Sequence, residues 1–431
     1  GFYGEVASIK PDLARLPFLQ KLFGYTREDI QMIMAPMATT GQEPVGAMGA
    51  DTPLAVFSEK NQLLFGYFKQ LFAQVTNPPI DPVREELVMS LMTFIGNPGN
   101  ILAESPRSSR LIKLLHPILT NEDLIRLRDL NLEGFRAETV NIGFPIKGGG
   151  VMLETALDRI CRESETAITK GHSVIILSDR DLPESMAPIP SLLAVSAANQ
   201  HLVRRGIRTS AGLLMETGEA REVMHLALLL GYGATAVNPY LAFEIVAALS
   251  AQKALDRPLS PAVSIENYIK ALCKGLLKIM SKMGISTLRS YRSAQVFEAV
   301  GLNTNVVDRY FVGTDSRVEG IDLDEIAREA MDRFHSAHDP APDAPGILPS
   351  GGHFRVRVDG ERHLWTPEAI HHLQRAVREN DQALYARYAE EINDQSEKQS
   401  TLRGMFAFLE TEPVPLEEVE PVSEIIKRFV T

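Results

Sequence analysis

The stretch that decides the fold is Val174-Ile175-Ile176-Leu177-Ser178, an uncharged and mostly apolar run in the middle of the chain. A continuous apolar run of this length that ends in Ser-Asp is typical of a strand buried on both faces of a parallel sheet. The next segment, 191–205, is predicted to be a helix, and Gly206 ends it. The run therefore predicts one strand–helix unit of an α/β protein.

The same order of elements continues on both sides of this unit. The predicted strands lie at 136–140, 208–215 and 234–238, and the predicted helices lie at 153–160 and 219–230. Strands that recur about every thirty residues, each followed by a helix, are typical of right-handed parallel βαβ units. We therefore predict a barrel-like α/β core over residues 131–345. Periodicity leaves open whether such a barrel closes with eight strands.

The outer parts of the chain have a less regular pattern. Residues 1–130 are interpreted as an N-terminal elaboration, and residues 346–431 as a partly helical connecting segment. Within the core, we also predict helices at 265–283 and 291–297 and extended pieces at 284–287 and 298–302.

Composition limits the possible functions. The chain has 431 residues, a net charge of −11 and two cysteines, Cys161 and Cys273. An acidic chain without a clustered basic face does not suit nucleic acid. Two cysteines cannot build a disulfide framework or hold an iron–sulfur cluster, so a reducing compartment fits. No apolar run is long enough to span a membrane. We predict no nucleic-acid partner and no membrane insertion.

The ends of the sequence suggest a piece of a longer polypeptide. The chain begins at Gly1 without an initiator methionine, and an acidic linker at 412–415 leads to a last short helix. That final segment has no predicted cap. We therefore expect further domains on both sides.

Two local motifs could carry chemistry. Gly148-Gly149-Gly150 precedes a helix and could cradle a phosphate, but it lacks the flanking residues of a nucleotide loop, which favours an ordinary connection. Glu222-x-x-His225 has the spacing of half a di-iron motif, but there is no second copy. From the residues alone, we predict no catalytic residue, no metal site and no bound cofactor in this chain.

Several longer strings carry a resemblance to a known family. They are Ala35-Pro36-Met37-Ala38-Thr39-Thr40-Gly41-Gln42-Glu43-Pro44, Asp51-Thr52-Pro53-Leu54-Ala55-Val56, Gln74-Val75-Thr76-Asn77-Pro78-Pro79-Ile80-Asp81-Pro82, Lys282-Met283-Gly284-Ile285-Ser286-Thr287 and Phe297-Glu298-Ala299-Val300-Gly301-Leu302. Together they resemble the central domain of the large (α) subunit of glutamate synthase, in its NADPH- or ferredoxin-dependent forms. The resemblance extends over essentially the whole chain.

The resemblance implies a fold and a set of partners. In that family the polypeptide also has a glutaminase domain and a domain with FMN and an iron–sulfur cluster, and the central domain is similar to an FMN barrel that has lost its cofactor. It implies a degenerate barrel of the FMN-oxidoreductase type, in a cytoplasmic enzyme. It also implies that ammonia from glutamine passes through a tunnel to the FMN site, where glutamate forms from 2-oxoglutarate.

The resemblance also suggests residues along the tunnel. A tunnel for a small neutral molecule needs a narrow, rigid lining, and two consecutive prolines stiffen the loop that contains Thr76 and Asn77. We predict that Thr76 and Asn77 line the tunnel, with Ser58, Ile285 and Ser286 as weaker candidates. The alternatives are that the loop merely precedes the helix at Asp81, or that the domain is a structural spacer, a flavin-dependent oxidoreductase or a module that binds a small metabolite.

Overall fold

A computed structural model describes residues 12–44, 46, 49–72, 82–100, 102–103, 106–132, 134–338, 347–394, 400–406 and 409–429. The chain divides into two units, Gly1–Leu364 and Trp365–Thr431. The predicted domain limits at 130 and 345 are based on the alternation of strands and helices along the sequence, and they stay a prediction.

The described part of the chain contains short strands and longer helices. The strands are β1 Phe68–Gln70, β2 Thr93–Ile95, β3 Ile112–Leu114, β4 Asn131–Leu132, β5 Phe135–Asn141, β6 Gly143–Pro145, β7 Val174–Ser178, β8 Met186–Pro188, β9 Gly212–Glu216, β10 Ala236–Asn238, β11 Phe297–Ala299 and β12 Asp315–Ser316. The helices are α1 Leu16–Leu22, α2 Ala35–Thr40, α3 Pro82–Val88, α4 Asn121–Arg128, α5 Gly149–Thr169, α6 Ser191–Arg204, α7 Val223–Gly231, α8 Tyr240–Ala251, α9 Pro261–Met283, α10 Leu288–Tyr291, α11 Thr304–Tyr310, α12 Leu323–His338, α13 Pro367–Glu379, α14 Gln382–Asn393 and α15 Val422–Lys427.

The central sheet has the strand order β10-β9-β7-β5-β4. Strands β5, β7, β9 and β10 are parallel, and β4 pairs with β5 antiparallel. The register places Ser178 opposite Glu216 and Glu216 opposite Asn238. Because these strands are parallel, their carboxyl ends meet at one edge of the sheet.

Both faces of the sheet are covered. Along β7, Ile175 and Leu177 belong to the large core cluster that also contains helices α5, α6 and α9. The alternate residues Val174 and Ile176 face a smaller cluster that includes Ile95 of β2. Successive side chains of a strand point to opposite faces, so an uninterrupted apolar run is what this double burial requires.

The structure confirms an α/β fold with a parallel sheet and corrects one predicted helix. The described strands form an open sheet and smaller separate sheets, so closure into an eight-stranded barrel is not confirmed. The helix predicted at 291–297 is wrong: α10 ends at Tyr291, and β11 begins at Phe297. Ser293 and Gln295 both have positive φ angles, 59° and 56°, which end a right-handed helix.

The N-terminal segment lies against the carboxyl edge of the sheet. It consists of α1, a π-helix over Asp29–Met34 and α2. The hydroxyl of Tyr25 donates a hydrogen bond of 2.9 Å to the carbonyl oxygen of Gly218, just beyond β9. Tyr25 is fully buried. This segment therefore closes the end of the sheet where the strands terminate.

A loop after α12 belongs to the same unit because a buried carboxylate holds it. Glu28 is 2 % exposed and accepts hydrogen bonds from the backbone N–H groups of Gly352, His353, Phe354 and Arg355. Successive N–H groups that converge on one carboxylate form a compact anion-binding turn. This contact explains why the first unit continues to Leu364.

The second unit is built around the helix pair α13 and α14. Asn380 ends α13 in the left-handed conformation, and the carboxylate of Asp381 caps α14 by accepting from the N–H groups of Ala383 and Leu384. Within the described residues, no helix is long and apolar enough to cross a membrane. Cys161 and Cys273 are both free thiols.

Candidate functional site

Functional residues of parallel α/β folds commonly lie at the carboxyl ends of the strands, so this edge is the first candidate. Glu216, the last residue of β9, is 1 % exposed. Its carboxylate accepts a hydrogen bond of 2.6 Å from the hydroxyl of Ser178 and one of 2.5 Å from Arg128. The strand register places Ser178 and Glu216 side by side, and α4 supplies the arginine.

A second ion pair lies beside the first. Arg180 Nη2 donates to Glu244 Oε1 at 2.8 Å, and the guanidinium group lies 4.6 Å from the ring centre of Tyr240. Arg180 Nη1 also lies 3.8 Å from Glu216 Oε1. These side chains neutralise one another, which offsets the cost of removing each charge from water.

Asp179 is the most perturbed acid at this edge. It is 3 % exposed, and its Oδ1 atom accepts a hydrogen bond of 2.9 Å from the N–H group of Gly218. Burial raises the pKa of Asp179 well above its usual range, and the charges of Glu219 and Glu216 raise it further. Burial therefore favours the protonated form of this carboxyl group relative to its ionised form.

A layer of charged groups from the N-terminal segment covers this network. Arg221 is 4 % exposed, and its Nη2 atom lies 3.0 Å from Asp29 Oδ2. The same guanidinium group donates to the carbonyl oxygens of Phe23 and Gly24 at 3.1 and 2.7 Å. It also lies 4.3 Å from the ring centre of Tyr25. The N-terminal segment is thus fixed to the strand ends by a buried ion pair and backbone contacts.

The Glu222-x-x-His225 motif lies at the start of α7. His225 is buried and stacks on Phe65 with ring centres 4.2 Å apart. Burial and the neighbouring charge of Arg221 hold the pKa of His225 well below its usual range. Burial and the charge of Asp29 raise the pKa of Glu222 to about 7. No cluster of three or more potential metal ligands occurs among the residues that the structure describes.

The glycine run before α5 is capped by a protein carboxylate. Asp324 Oδ1 accepts a hydrogen bond of 2.9 Å from the N–H group of Gly150 at the start of α5. A Cβ atom on Gly150 would lie 2.4 Å from that oxygen, so the close approach requires glycine. The side chain of Asp324 occupies the position that a phosphate would need, which favours the structural interpretation of this motif.

A cavity remains at the rim of the carboxyl edge. Its volume is about 420 Å³, and Arg15, Asp179, Arg180, Tyr240 and Glu244 contribute to its lining. Two ion pairs lie on this rim, Arg15 with Asp181 at 3.1 Å and Arg180 with Glu244 at 2.8 Å. Asp179 and Arg180 directly follow the predicted strand at 174–178. Because binding sites of α/β folds lie at the carboxyl ends of strands, that position in the sequence could have identified them as lining residues.

The predicted tunnel residues fall in different places. Thr76 and Asn77 lie outside the described residues. Ser286 is exposed and Ile285 is half-buried, and the carbonyl oxygen of Ser286 accepts a hydrogen bond of 2.8 Å from the N–H group of Ser90. The hydroxyl of Ser58 instead donates to Glu361 at 2.5 Å. Within the described contacts, Ser58 is not joined to the other two candidates.

The fold and this edge together define a class of α/β protein: one whose strand ends are closed by its own N-terminal segment and by internal ion pairs. A family model described as the glutamate synthase central domain matches residues 19–303. The match spans more than half of the chain. The protein therefore belongs to the family of glutamate synthase central domains.

Individual relatives agree with this assignment. The chain is 46 % identical over 413 residues to the glutamate synthase [NADPH] large chain of Bacillus subtilis, which covers 96 % of this chain and 26 % of that protein. It is 42 % identical to the glutamate synthase [NADH] of Schizosaccharomyces pombe, over 95 % of this chain and 20 % of that protein. It is 40 % identical to the ferredoxin-dependent glutamate synthase 2 of Synechocystis, over 96 % of this chain and 27 % of that protein.

The chain thus spans between a fifth and about a quarter of the length of these relatives. Among solved structures, the flavin-binding domain of baker's yeast flavocytochrome b2 is similar over 76 % of this chain and 97 % of that domain. Its identity is 10 % and its TM-score is 0.34, and no conclusion is based on that likeness.

Proposed function

We propose that this domain is a scaffold within glutamate synthase, which holds the glutaminase and FMN domains in register and contributes to the ammonia tunnel between them. The observation that carries the scaffold role is the closed carboxyl edge of the sheet. Tyr25, Arg221 and Asp29 lie over the strand ends, where an α/β enzyme commonly binds its substrate, and a cavity remains beside them at the rim. The chemistry then belongs to the flanking domains, with FMN and the iron–sulfur cluster in the parent polypeptide.

The range of electron donors among the relatives supports a role apart from electron transfer. Relatives named for NADPH, NADH and ferredoxin all match at least 95 % of this chain. A segment that is shared by enzymes with different donors is suited to a step that they have in common. Holding the domains together and conducting ammonia are steps of that kind.

The tunnel role has a local argument as well. Helix α3 begins at Pro82, five positions after Asn77 in the sequence, and Ser90 follows the helix. The hydrogen bond from Ser90 to Ser286 joins the far end of this segment to the residues around Ile285. We therefore keep Thr76, Asn77, Ile285 and Ser286 as candidates for one tunnel wall, and Ser58 as a candidate for a separate part.

The experiment replaces Thr76 with tryptophan in the polypeptide that carries this chain. A bulky side chain in a narrow tunnel should block ammonia, so glutamine consumption should exceed glutamate formation. Both rates are measured in the same reaction, and Thr76→Ser is the matched control that keeps the residue small. If both activities fall equally and the one-to-one coupling persists, Thr76 does not line the tunnel and the spacer alternative is favoured.

The finer expectations on fold and location belong to the same proposal. We expect that the core descends from an FMN barrel, and that the enzyme acts in the cytoplasm. A flavin titration of the purified protein separates the scaffold from a flavin-dependent oxidoreductase. Stoichiometric quenching of FMN fluorescence that is lost on replacement of a residue of this domain, such as Arg180→Gln, would refute the scaffold proposal. Quenching that is insensitive to that change would support it.

A further inference from the structure

A second cavity lies at the opposite end of the sheet, where the parallel strands begin. Its volume is about 440 Å³, and its lining includes Gly212 at the start of β9 and Thr235 just before β10. The hairpin strand β2 and the end of α10 contribute further residues. Ser90, which the tunnel argument uses, also lines this cavity, but nothing in the scaffold proposal uses its charged groups.

The charge of this cavity is one-sided. Three arginines line it, Arg208, Arg289 and Arg292, and the described lining contains no aspartate or glutamate. This is unusual for a chain whose net charge is −11. Within the described residues, none of these three arginines forms an ion pair with a carboxylate.

The two inner arginines contact only neutral groups of the protein. Arg208 donates to the side-chain oxygen of Asn199 at 2.6 Å and to the carbonyl oxygens of Ala211 and Gly233 at 2.9 and 2.6 Å. Arg292 donates to the hydroxyl of Thr93 at 3.0 Å. Its Nε atom is buried and has no hydrogen-bond partner among the described residues. The side-chain nitrogen of Asn199 is also buried and also has no hydrogen-bond partner among the described residues.

The electrostatic consequence is a local surplus of positive charge. Burial and the neighbouring charge of Arg292 lower the pKa of Arg208 to about 9, and burial and the charge of Arg289 lower the pKa of Arg292 to about 10. The guanidinium groups therefore destabilise one another. Arg208 and Arg292 are half-buried. A charge that is partly removed from water without a counter-charge is costly, and such groups in native proteins usually meet a partner.

We propose that this cavity binds a small oxyanion, a carboxylate or a phosphate, between Arg292, Arg208 and the exposed Arg289. The planar fork of an arginine side chain fits two oxygens of either group, and charge-assisted hydrogen bonds of this kind are stronger than neutral ones. The hydroxyl of Thr93 adds a neutral polar group to the wall. The volume is in the range of pockets for small metabolites.

The experiment uses the full polypeptide that carries this chain and measures binding by calorimetry at constant ionic strength. Two probes separate the sources of the oxyanion: inorganic phosphate and the dicarboxylate glutarate. The neutral diamide of glutaric acid is the control ligand. The variant is Arg292→Gln, and Arg289→Gln on the exposed rim is a second variant that leaves the buried contacts intact. Arg257→Gln, an exposed arginine that does not line the cavity, is the matched control for loss of charge.

We expect one binding site per polypeptide for phosphate or glutarate. Its affinity should fall about tenfold in Arg292→Gln, because charge-assisted hydrogen bonds are lost. Arg289→Gln should weaken it by a smaller factor, and Arg257→Gln should leave it unchanged. The proposal is overturned if neither anion shows a component that depends on Arg292 or Arg289. It is also overturned if Arg257→Gln weakens binding as much as the two site variants do.

Discussion

At the carboxyl end of the parallel sheet, buried or half-buried arginines lie against carboxylates, whereas at the amino end half-buried arginines lie against neutral oxygens. Arg180 and Arg221 are paired with Glu244 and Asp29 at 2.8 and 3.0 Å. Arg208 and Arg292 meet carbonyl, amide and hydroxyl oxygens instead. The same type of side chain therefore has a different electrostatic environment at each edge of one sheet.

This difference separates charged groups that stabilise the fold from charged groups that have no counter-charge among the described residues. Ion pairs at the carboxyl end fix the N-terminal segment over the strand ends, so the charges there are already used for structure. The charges at the amino end are not compensated within the described residues and can attract an anion. In α/β folds the carboxyl edge is the usual functional edge, whereas the anion site that we propose lies at the amino edge of this sheet.

The largest effect should come from breaking the ion pair that holds the N-terminal segment. Asp29→Asn leaves Arg221 as a buried cation, since both side chains are at most 10 % exposed. We expect a loss of about 3–5 kcal/mol in the free energy of unfolding, measured with urea. The control is Asp181→Asn, whose partner Arg15 is exposed; it should cost less than about 1 kcal/mol. Equal losses in the two variants would contradict the closed edge.

The next effect concerns the close packing between that segment and the strand ends. A Cβ atom on Gly218 would lie 2.5 Å from the ring of Phe23. Gly218→Ala should therefore destabilise the protein by about 1–3 kcal/mol through overpacking. Gly46→Ala is the matched control, because that position has open space around it, and its effect should be within about 0.5 kcal/mol. A neutral Gly218→Ala would show that Phe23 does not lie against the strand end.

A smaller effect is expected in the pH dependence of stability. The pKa of Glu222 is raised to about 7 in the folded state from an ordinary value of 4.5. The folded protein then binds the extra proton between these values, so the stability that this group contributes is fully present below about pH 4.5 and is lost as the pH rises through about 7. The slope from this group reaches about 1.4 kcal/mol per pH unit.

Glu222→Gln isolates this contribution, because the amide does not titrate. Urea unfolding of the protein and the variant at a series of pH values between 4 and 8 gives the difference in slope. We expect the variant to lose less stability than the parent as the pH rises through this window. Parallel curves for the two proteins would refute the raised pKa.

The sequence predicts the parts of this comparison that depend on local patterns. The strand β7 was predicted to the residue because its run of apolar side chains is uninterrupted and is ended by Ser178. The strand predicted at 208–215 begins later, at Gly212, because Arg208–Ser210 forms a 3-10 turn that places Arg208 in the cavity. The spacing of apolar residues in the sequence does not predict such a turn.

Contacts between distant segments were beyond the reach of sequence patterns. The hydrogen bond from Tyr25 to Gly218 joins residues that are 193 positions apart. Whether an arginine meets a carboxylate, as Arg221 does, or a hydroxyl, as Arg292 does, depends on such long-range contacts. The family resemblance indicated the role of the domain but not which of its edges is closed.

The most direct test of the difference between the two edges compares Arg221→Leu with Arg292→Leu in urea unfolding, in a buffer free of phosphate and carboxylates. Arg221→Leu should lose about 3 kcal/mol or more, because Asp29 is left as a buried charge without a partner. Arg292→Leu should change the free energy of unfolding by less than about 1 kcal/mol or increase it, because it removes a charge that has no counter-charge. A loss in Arg292→Leu as large as that in Arg221→Leu would contradict the account.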